Sequence, residues 1–139
     1  MKVKEIVAFM RSKLLNREEF IIKGNQKYTP DDMEIEGDAS NAAFFEAANL
    51  LSGNVEVIGL DPASLQGDMA FKRHFEALKT NSREPIDLSD CPDLGPVLFA
   101  LAAMKNGAMF TGTDRLKAKE SDRGAAMHSE LKKLGGGLI

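Results

Sequence analysis

Hydrophobic positions recur along this chain with two periods, and the switches between them mark its elements. Val3, Ile6, Val7, Met10 and Leu14 follow a helical period among Lys2, Lys4, Glu5, Arg11 and Lys13, which predicts an amphipathic helix. Phe20-Ile21-Ile22 and Gln26-Lys27-Tyr28 flank Gly24-Asn25, a turn-forming pair, and read as a short hairpin. Beyond the break at Thr29-Pro30-Asp31-Asp32, Met33 to Glu36 alternates as a strand. Ala42, Ala43, Phe44, Phe45, Ala47, Ala48, Leu50 and Leu51 then predict a helix apolar on nearly every face, buried, with Phe44 and Phe45 in the core. Val55 to Leu60 reads as a strand, and Leu65, Met69, Phe71, Phe75 and Leu78 are the apolar positions of a second helix.

Glu84 to Leu88 is the next predicted strand, and Asp90-Cys91-Pro92-Asp93 a helix start. There Asp90 is placed to cap, proline suits the first turn, and Asp93 lies where a capping-box acid sits. The helix from Leu94 to Met104 is apolar and stops at Lys105-Asn106-Gly107, after which Ala108 to Thr111 reads as a strand. A last amphipathic helix, Gly124 to Leu134, has Ser121 as its expected N-cap and Gly135 as a left-handed stop. Gly135 to Ile139 closes that helix and begins what reads as another strand.

The pattern repeats. An offset of 54 residues carries Gly53 to Gly107, Gln66-Gly67-Asp68 to Glu120-Ser121-Asp122, and His74-Phe75-Glu76 to His128-Ser129-Glu130. In each copy the first helix is almost wholly apolar and the second amphipathic, as a sandwiched and a solvent-facing helix require, so the fold class is α/β. Both His74 and His128, beside Glu76 and Glu130, are expected on exposed faces.

Composition narrows the function classes. With 139 residues, 43% of them hydrophobic, the chain has material for a real core. A net charge of -3 means that any taste for anions must be local to a cluster, and it argues against a nucleic-acid partner. Cys91, the single cysteine, excludes an internal disulfide framework and a cysteine-based zinc site and fits a reducing compartment, so the cytoplasm is the expected location. The longest apolar run, Val97 to Met104, is far short of the roughly 20 residues of a membrane span, and no membrane association is expected.

The local cluster is Lys119-Glu120-Ser121-Asp122-Arg123. A helix N-terminus offers free N–H groups and a partial positive charge, and Lys119 and Arg123 add two full ones, which suits a small anion. The bland alternative is a capped, solvated helix start.

Four stretches, in order and at matching spacing, resemble one known family. They are Glu36-Gly37-Asp38-Ala39-Ser40-Asn41-Ala42-Ala43-Phe44-Phe45, Ser64-Leu65-Gln66-Gly67-Asp68, Asp90-Cys91-Pro92-Asp93-Leu94-Gly95-Pro96 and Arg115 to Arg123. The family is 5-enolpyruvylshikimate-3-phosphate synthase, and the resemblance covers about all of the chain, most weakly over residues 1–32. It implies repeated βαβαββ-type units of the enolpyruvyl transferase fold, about two of the family's six. Residues 1–35 would be the tail of the first domain and 36–139 a partial second, substrate-binding domain.

The implied activity is transfer of the enolpyruvyl group of phosphoenolpyruvate to the 5-hydroxyl of shikimate 3-phosphate, releasing phosphate, with no cofactor and no metal. By position, Asp93 is the implied proton acceptor, and Glu120 lies by the methylene of phosphoenolpyruvate. Lys119 matches a contact to the shikimate ring and Arg123 a phosphoenolpyruvate-binding arginine. Arg115 falls where some members have a polar shikimate contact and is left out of the site. Because Glu120 sits between Lys119 and Arg123 at a helix start, its pKa should be lowered, which makes it a poor acid alone.

The family's first-domain site residues, and the arginine and lysine of the third unit of its second domain, have no counterpart here. The chain is therefore expected to be an inactive fragment that self-associates through uncovered surface. A stand-alone module that binds anions or a partner is the alternative. The related transferase acting on a nucleotide sugar is disfavoured by Lys119 to Arg123 and by Cys91-Pro92-Asp93.

Overall fold

The structure, a computed structural model, describes residues 24–136. The chain divides into two units, Met1–Ile35 and Glu36–Ile139. The helix read from Val3, the hairpin strand at Phe20 to Ile22 and the strand expected to begin near Leu138 lie outside the described residues. In the first unit Asn25 takes a left-handed φ of 57° beside Gly24, but residues 26–35 carry no helix or strand. Met33 to Glu36 is therefore not a strand. Alternating side chains need a neighbouring ladder before they become one, and Met33 and Ile35 are exposed.

The second unit is built around helices. Helix α1, Ala39–Leu50, begins at Asp38, whose carboxylate accepts the Ser40 N–H at 2.8 Å and the Asn41 N–H at 3.2 Å. It buries Ala39, Ala42, Ala43 and Ala47, one stripe at helical spacing, and these small side chains let neighbouring elements approach closely. Phe44 and Phe45 point away from that stripe and are 52% and 56% exposed, contrary to the core position expected of them. A helix apolar all round carries no directional signal, so its sequence does not say which face is covered. Asp38→Ala should cost about 1 kcal/mol, within the range for a lost N-cap, read as a lower urea midpoint with an unchanged slope.

Helix α2, Phe71–Lys79, follows the 3-10 turn Gly67–Ala70 and buries Phe71, His74, Phe75 and Leu78. That stripe places His74 in the core, not on the exposed face expected. Its Nε2 lies 3.6 Å from Cys91 Sγ. Burial lowers the His74 pKa and pushes the Cys91 thiol up to about 11, so both are neutral packing groups near pH 7.

Strands β1, Ile86–Asp87, and β2, Phe110–Thr111, pair in parallel with Ile86 opposite Phe110. The Ile86 N–H donates to Met109 O at 2.8 Å and the Leu88 N–H to Thr111 O at 2.9 Å. Val55 to Leu60 is not a strand. Asn49 satisfies both the N–H and the carbonyl of Val55 with its side-chain amide, and Gly59 O accepts one bond, from Gly37 N–H.

Helix α3, Gly95–Met104, runs on from the 3-10 turn Pro92–Leu94 and buries Gly95, Val97, Leu98, Phe99, Leu101 and Ala102. The residue before that turn is Cys91, and no side chain caps it, so Asp90 does not have the expected role. Helices α1 and α2 pack on α3, as does α4, Arg123–Lys133. The N-cap of α4 is Asp122, which accepts the Ala125 N–H at 3.0 Å; Ser121 is one residue too early. Gly135, at φ 84°, ends α4 as expected, and the Gly136 N–H reaches Leu131 O at 2.8 Å.

One trace of the repeat is visible in the backbone. The N–H groups of Leu51 and Gly53 both donate to Ala48 O, and at the same offset those of Lys105 and Gly107 both donate to Ala102 O. Downstream the copies diverge. Asp122 caps its helix, whereas Asp68 is buried and accepts the Ser40 hydroxyl.

Candidate functional site

Three local structures meet at one patch. The first is Pro92–Leu94, which turns Pro92 and Leu94 into the core and leaves Asp93, between them, partly exposed. Second is the segment after the 3-10 turn Thr113–Leu116, anchored by buried Leu116, which carries Lys119 and Glu120. Third is the first turn of α4, which begins at Arg123. Arg115 adds a tie between them, its Nη1 donating to Ser89 O at 2.9 Å just ahead of the Asp93 turn.

All four residues singled out from the sequence come together here. Lys119 Nζ lies 2.9 Å from Asp93 Oδ1 and 3.2 Å from Oδ2. Arg123 Nη1 donates to Asp93 Oδ1 at 2.6 Å, and its Nη2 donates to Glu120 Oε1. The guanidinium thus bridges both carboxylates. The cationic side chains are the better buried members, while Glu120 is 72% exposed.

Charge follows geometry. The hydrogen bond from Lys119, then that from Arg123, holds the Asp93 carboxyl below the ordinary aspartate range against the opposing effect of burial. The hydrogen bond from Arg123 does the same for Glu120, as the sequence led us to expect, and Arg123 is raised in return, first by Glu120. Near neutral pH both acids are ionised and balance the two cations. Neither carboxylate therefore holds a proton at neutral pH, and the cations that keep Asp93 ionised also weaken it as a base.

Acids whose pKa is lowered in the folded state contribute stability above their unfolded value, near 3.9 to 4.3, which is lost as pH falls through the folded one. Stability should accordingly drop below about pH 4. Asp93→Asn should flatten that acid limb in a series of urea midpoints; an unchanged limb would count against the ion pairs.

Asp68, which the sequence did not single out for the site, is a neighbour of the cluster. The Gly67–Ala70 turn packs against Pro92–Leu94, so Asp68 stands close to Asp93. A cavity of about 590 Å³ is lined by Phe99, Phe110, Leu116, Asp122 and Gly124 among others, and by none of the four cluster residues. Among the described residues no group of three or more His, Cys, Asp and Glu is placed to hold a metal ion, and no helix is long and apolar enough to cross a membrane.

Known proteins resemble this chain over nearly all of its length. Residues 10–138 match the family model of EPSP synthase (3-phosphoshikimate 1-carboxyvinyltransferase). The chain belongs to the EPSP synthase family. Among curated members, the 3-phosphoshikimate 1-carboxyvinyltransferase of Clostridium novyi (strain NT) is 41% identical over 136 residues, covering 86% of this chain and 31% of the relative. That of Clostridium beijerinckii is 42% identical over 141 residues, 89% of this chain and 32% of the relative. For Clostridium kluyveri the figures are 40% over 137 residues, 87% and 32%. The chain thus spans about a third of the length of these EPSP synthase relatives. No solved structure matches it. The mixed helices and strands of the second unit are compatible with an α/β domain of the EPSP synthase family.

Proposed function

We propose that this chain carries one wall of the site at which a 3-phosphoshikimate 1-carboxyvinyltransferase joins phosphoenolpyruvate to shikimate 3-phosphate. The observation that carries the reading is Arg123, which holds Asp93 and Glu120 at once while Lys119 clamps Asp93 from another side. Residues 36–139 are then two βαβαββ-type units of a second domain and residues 1–35 the tail of a first. The repeated helix-end closures at Ala48 and Ala102 support the two-unit count.

In this reading the 5-hydroxyl oxygen of shikimate 3-phosphate attacks the central carbon of phosphoenolpyruvate, and its proton passes to Asp93, already ionised. The methylene carbon takes a proton from Glu120, giving an addition intermediate. The Glu120 carboxylate then takes back a methyl proton as phosphate departs with the C–O bonding pair and the proton held by Asp93, which restores the double bond. Glu120 needs its proton first, and the geometry supplies a route. An anionic group of phosphoenolpyruvate that takes over Arg123 Nη2 frees Glu120 from the hydrogen bond that most lowers its pKa. Lys119 meanwhile fixes Asp93 and meets the shikimate ring.

Catalysis also needs the remainder of a closed cleft, so this chain alone should not turn over. A coupled phosphate-release assay with both substrates is expected to read background, and turnover near that of a full-length relative would sink that claim. The site reading is tested separately by NMR. Phosphoenolpyruvate should move the amides of residues 121–124 in a weak, saturable titration, since Asp93 and Glu120 already neutralise the cations, and Arg123→Met should abolish the shifts. Unmoved amides, or shifts that survive Arg123→Met, would reject it. Shifts produced by phosphoenolpyruvate and inorganic phosphate alike, without turnover after addition of the missing parts of a relative, would favour the anion-binding module instead.

A further inference from the structure

Asp68 is 9% exposed, and among the described residues its side chain has one hydrogen-bond partner, the Ser40 hydroxyl, and no ion pair. A carboxylate so placed is costly, because burial removes water from a charge that no ion pair offsets. The place itself is tightly built. Gly67, just before it, is pressed so close to the Asp90 carbonyl that a Cβ there would lie 2.2 Å from the oxygen. The Gln66 side chain bridges the Ala39 N–H at 2.9 Å and the Gly37 carbonyl at 2.8 Å, fixing the turn to the start of α1. Both α1 and the Gly67–Ala70 turn pack on Pro92–Leu94, so Asp68 sits behind the Asp93 turn.

We propose that Asp68 is a positioning residue for the Asp93 cluster, a buried carboxylate that sets its charge against Asp93 from behind and shares Lys119 with it. The groups facing it are Asp38 and Ser40 from the start of α1, Cys91 and Asp93 from the turn before α3, and Lys119. Burial raises its pKa most. The Ser40 hydrogen bond opposes this, the charges of Asp93 and Asp38 add to it, and Lys119 subtracts.

The inference deepens the proposed function, and rests on it for its purpose. Lys119 and Arg123 hold Asp93 ionised, and an acid pulled too low is a weak base. A fixed negative charge behind it restores some basicity without adding a competitor for substrate at the exposed face.

The test is carboxyl-carbon NMR of Asp68 in the full chain, titrated with acid, and it requires no substrate. Asp93 has the lower pKa and is ionised while Asp68 titrates, so Asp93→Asn should lower the Asp68 midpoint by about half a unit to one unit. Lys119→Met should raise it by a similar amount. Ser40→Ala should raise it too, through loss of the bond to the charged form. Methyl signals of Leu94 and Leu98 report that each variant keeps its core. An Asp68 midpoint that stays put in folded Asp93→Asn and Lys119→Met chains overturns the proposal and leaves Asp68 a local tie to Ser40. Failure of phosphoenolpyruvate to bind the unaltered chain would instead remove the proposed function while leaving the coupling standing.

Discussion

Gly67→Ala is expected to destabilise the second unit by about 3 kcal/mol, the upper end for overpacking a tight site, and to disturb Asp93, one turn away. The cause is steric. A Cβ at residue 67 would meet the backbone carbonyl of Asp90 at 2.2 Å, and a carbonyl cannot rotate aside as a side chain can. Retreat is blocked from both directions. The Cys91 N–H is held by Leu88 O at 3.2 Å, and Gln66 is pinned to Gly37 and Ala39. Strain should therefore spread along Asp90 to Leu94 and loosen the contacts of Asp93 with Lys119 and Arg123. Urea unfolding measures the loss, and the amide shifts of Asp93 and Arg123 measure the displacement. Gly24, where an added methyl would meet nothing within 4 Å, is the control, since Gly24→Ala should leave both readouts nearly unchanged. Equal midpoints for the two variants would show that the Gly67 contact is not tight in solution.

Leu98→Ala carries the second large effect, a loss of about 2 to 5 kcal/mol. Leu98 is fully buried in the middle of α3, the helix on which α1, α2 and α4 all pack, so the cavity left behind has little freedom to collapse. Phe44→Ala supplies the contrast. Although it removes more atoms, half of that ring already faces solvent, and the cost should stay below about 1 kcal/mol. Urea midpoints of the two variants decide between these assignments. Comparable losses would mean that Phe44 is covered in solution, as its sequence neighbourhood implies.

That pair also shows where reading the chain by pattern succeeds. The four helices among the described residues were visible because each joins an apolar run to a legible stop, such as Gly107 after α3 or Gly135 after α4. Their faces were harder. The stripe Phe71, His74, Phe75, Leu78 has regular helical spacing, and respecting it would have buried His74; the charged neighbour Glu76 drew attention to the wrong face. Caps slipped by one residue at Ser121 because Asp122, equally able to cap, stood beside it. The strands at Met33 to Glu36 and Val55 to Leu60 failed for a different reason. A strand is a relation between two segments, and period-two alternation records only one of them.

Local order, then, belonged to the sequence. Helix positions and the 54-residue recurrence can be read along the chain, because capping and periodicity act over a few neighbouring residues, and the family resemblance adds the choice of Asp93, Lys119, Glu120 and Arg123. Tertiary structure alone decided what those residues do to each other. Asp93 lies 26 and 30 residues before Lys119 and Arg123, and only the approach of the Pro92–Leu94 turn to the start of α4 brings the three charges within hydrogen-bonding distance. Asp68 and Ser40, 28 residues apart, became a buried pair in the same way. Electrostatic coupling falls with distance in space and is blind to distance along the chain, so the protonation states of these carboxylates were set by the fold.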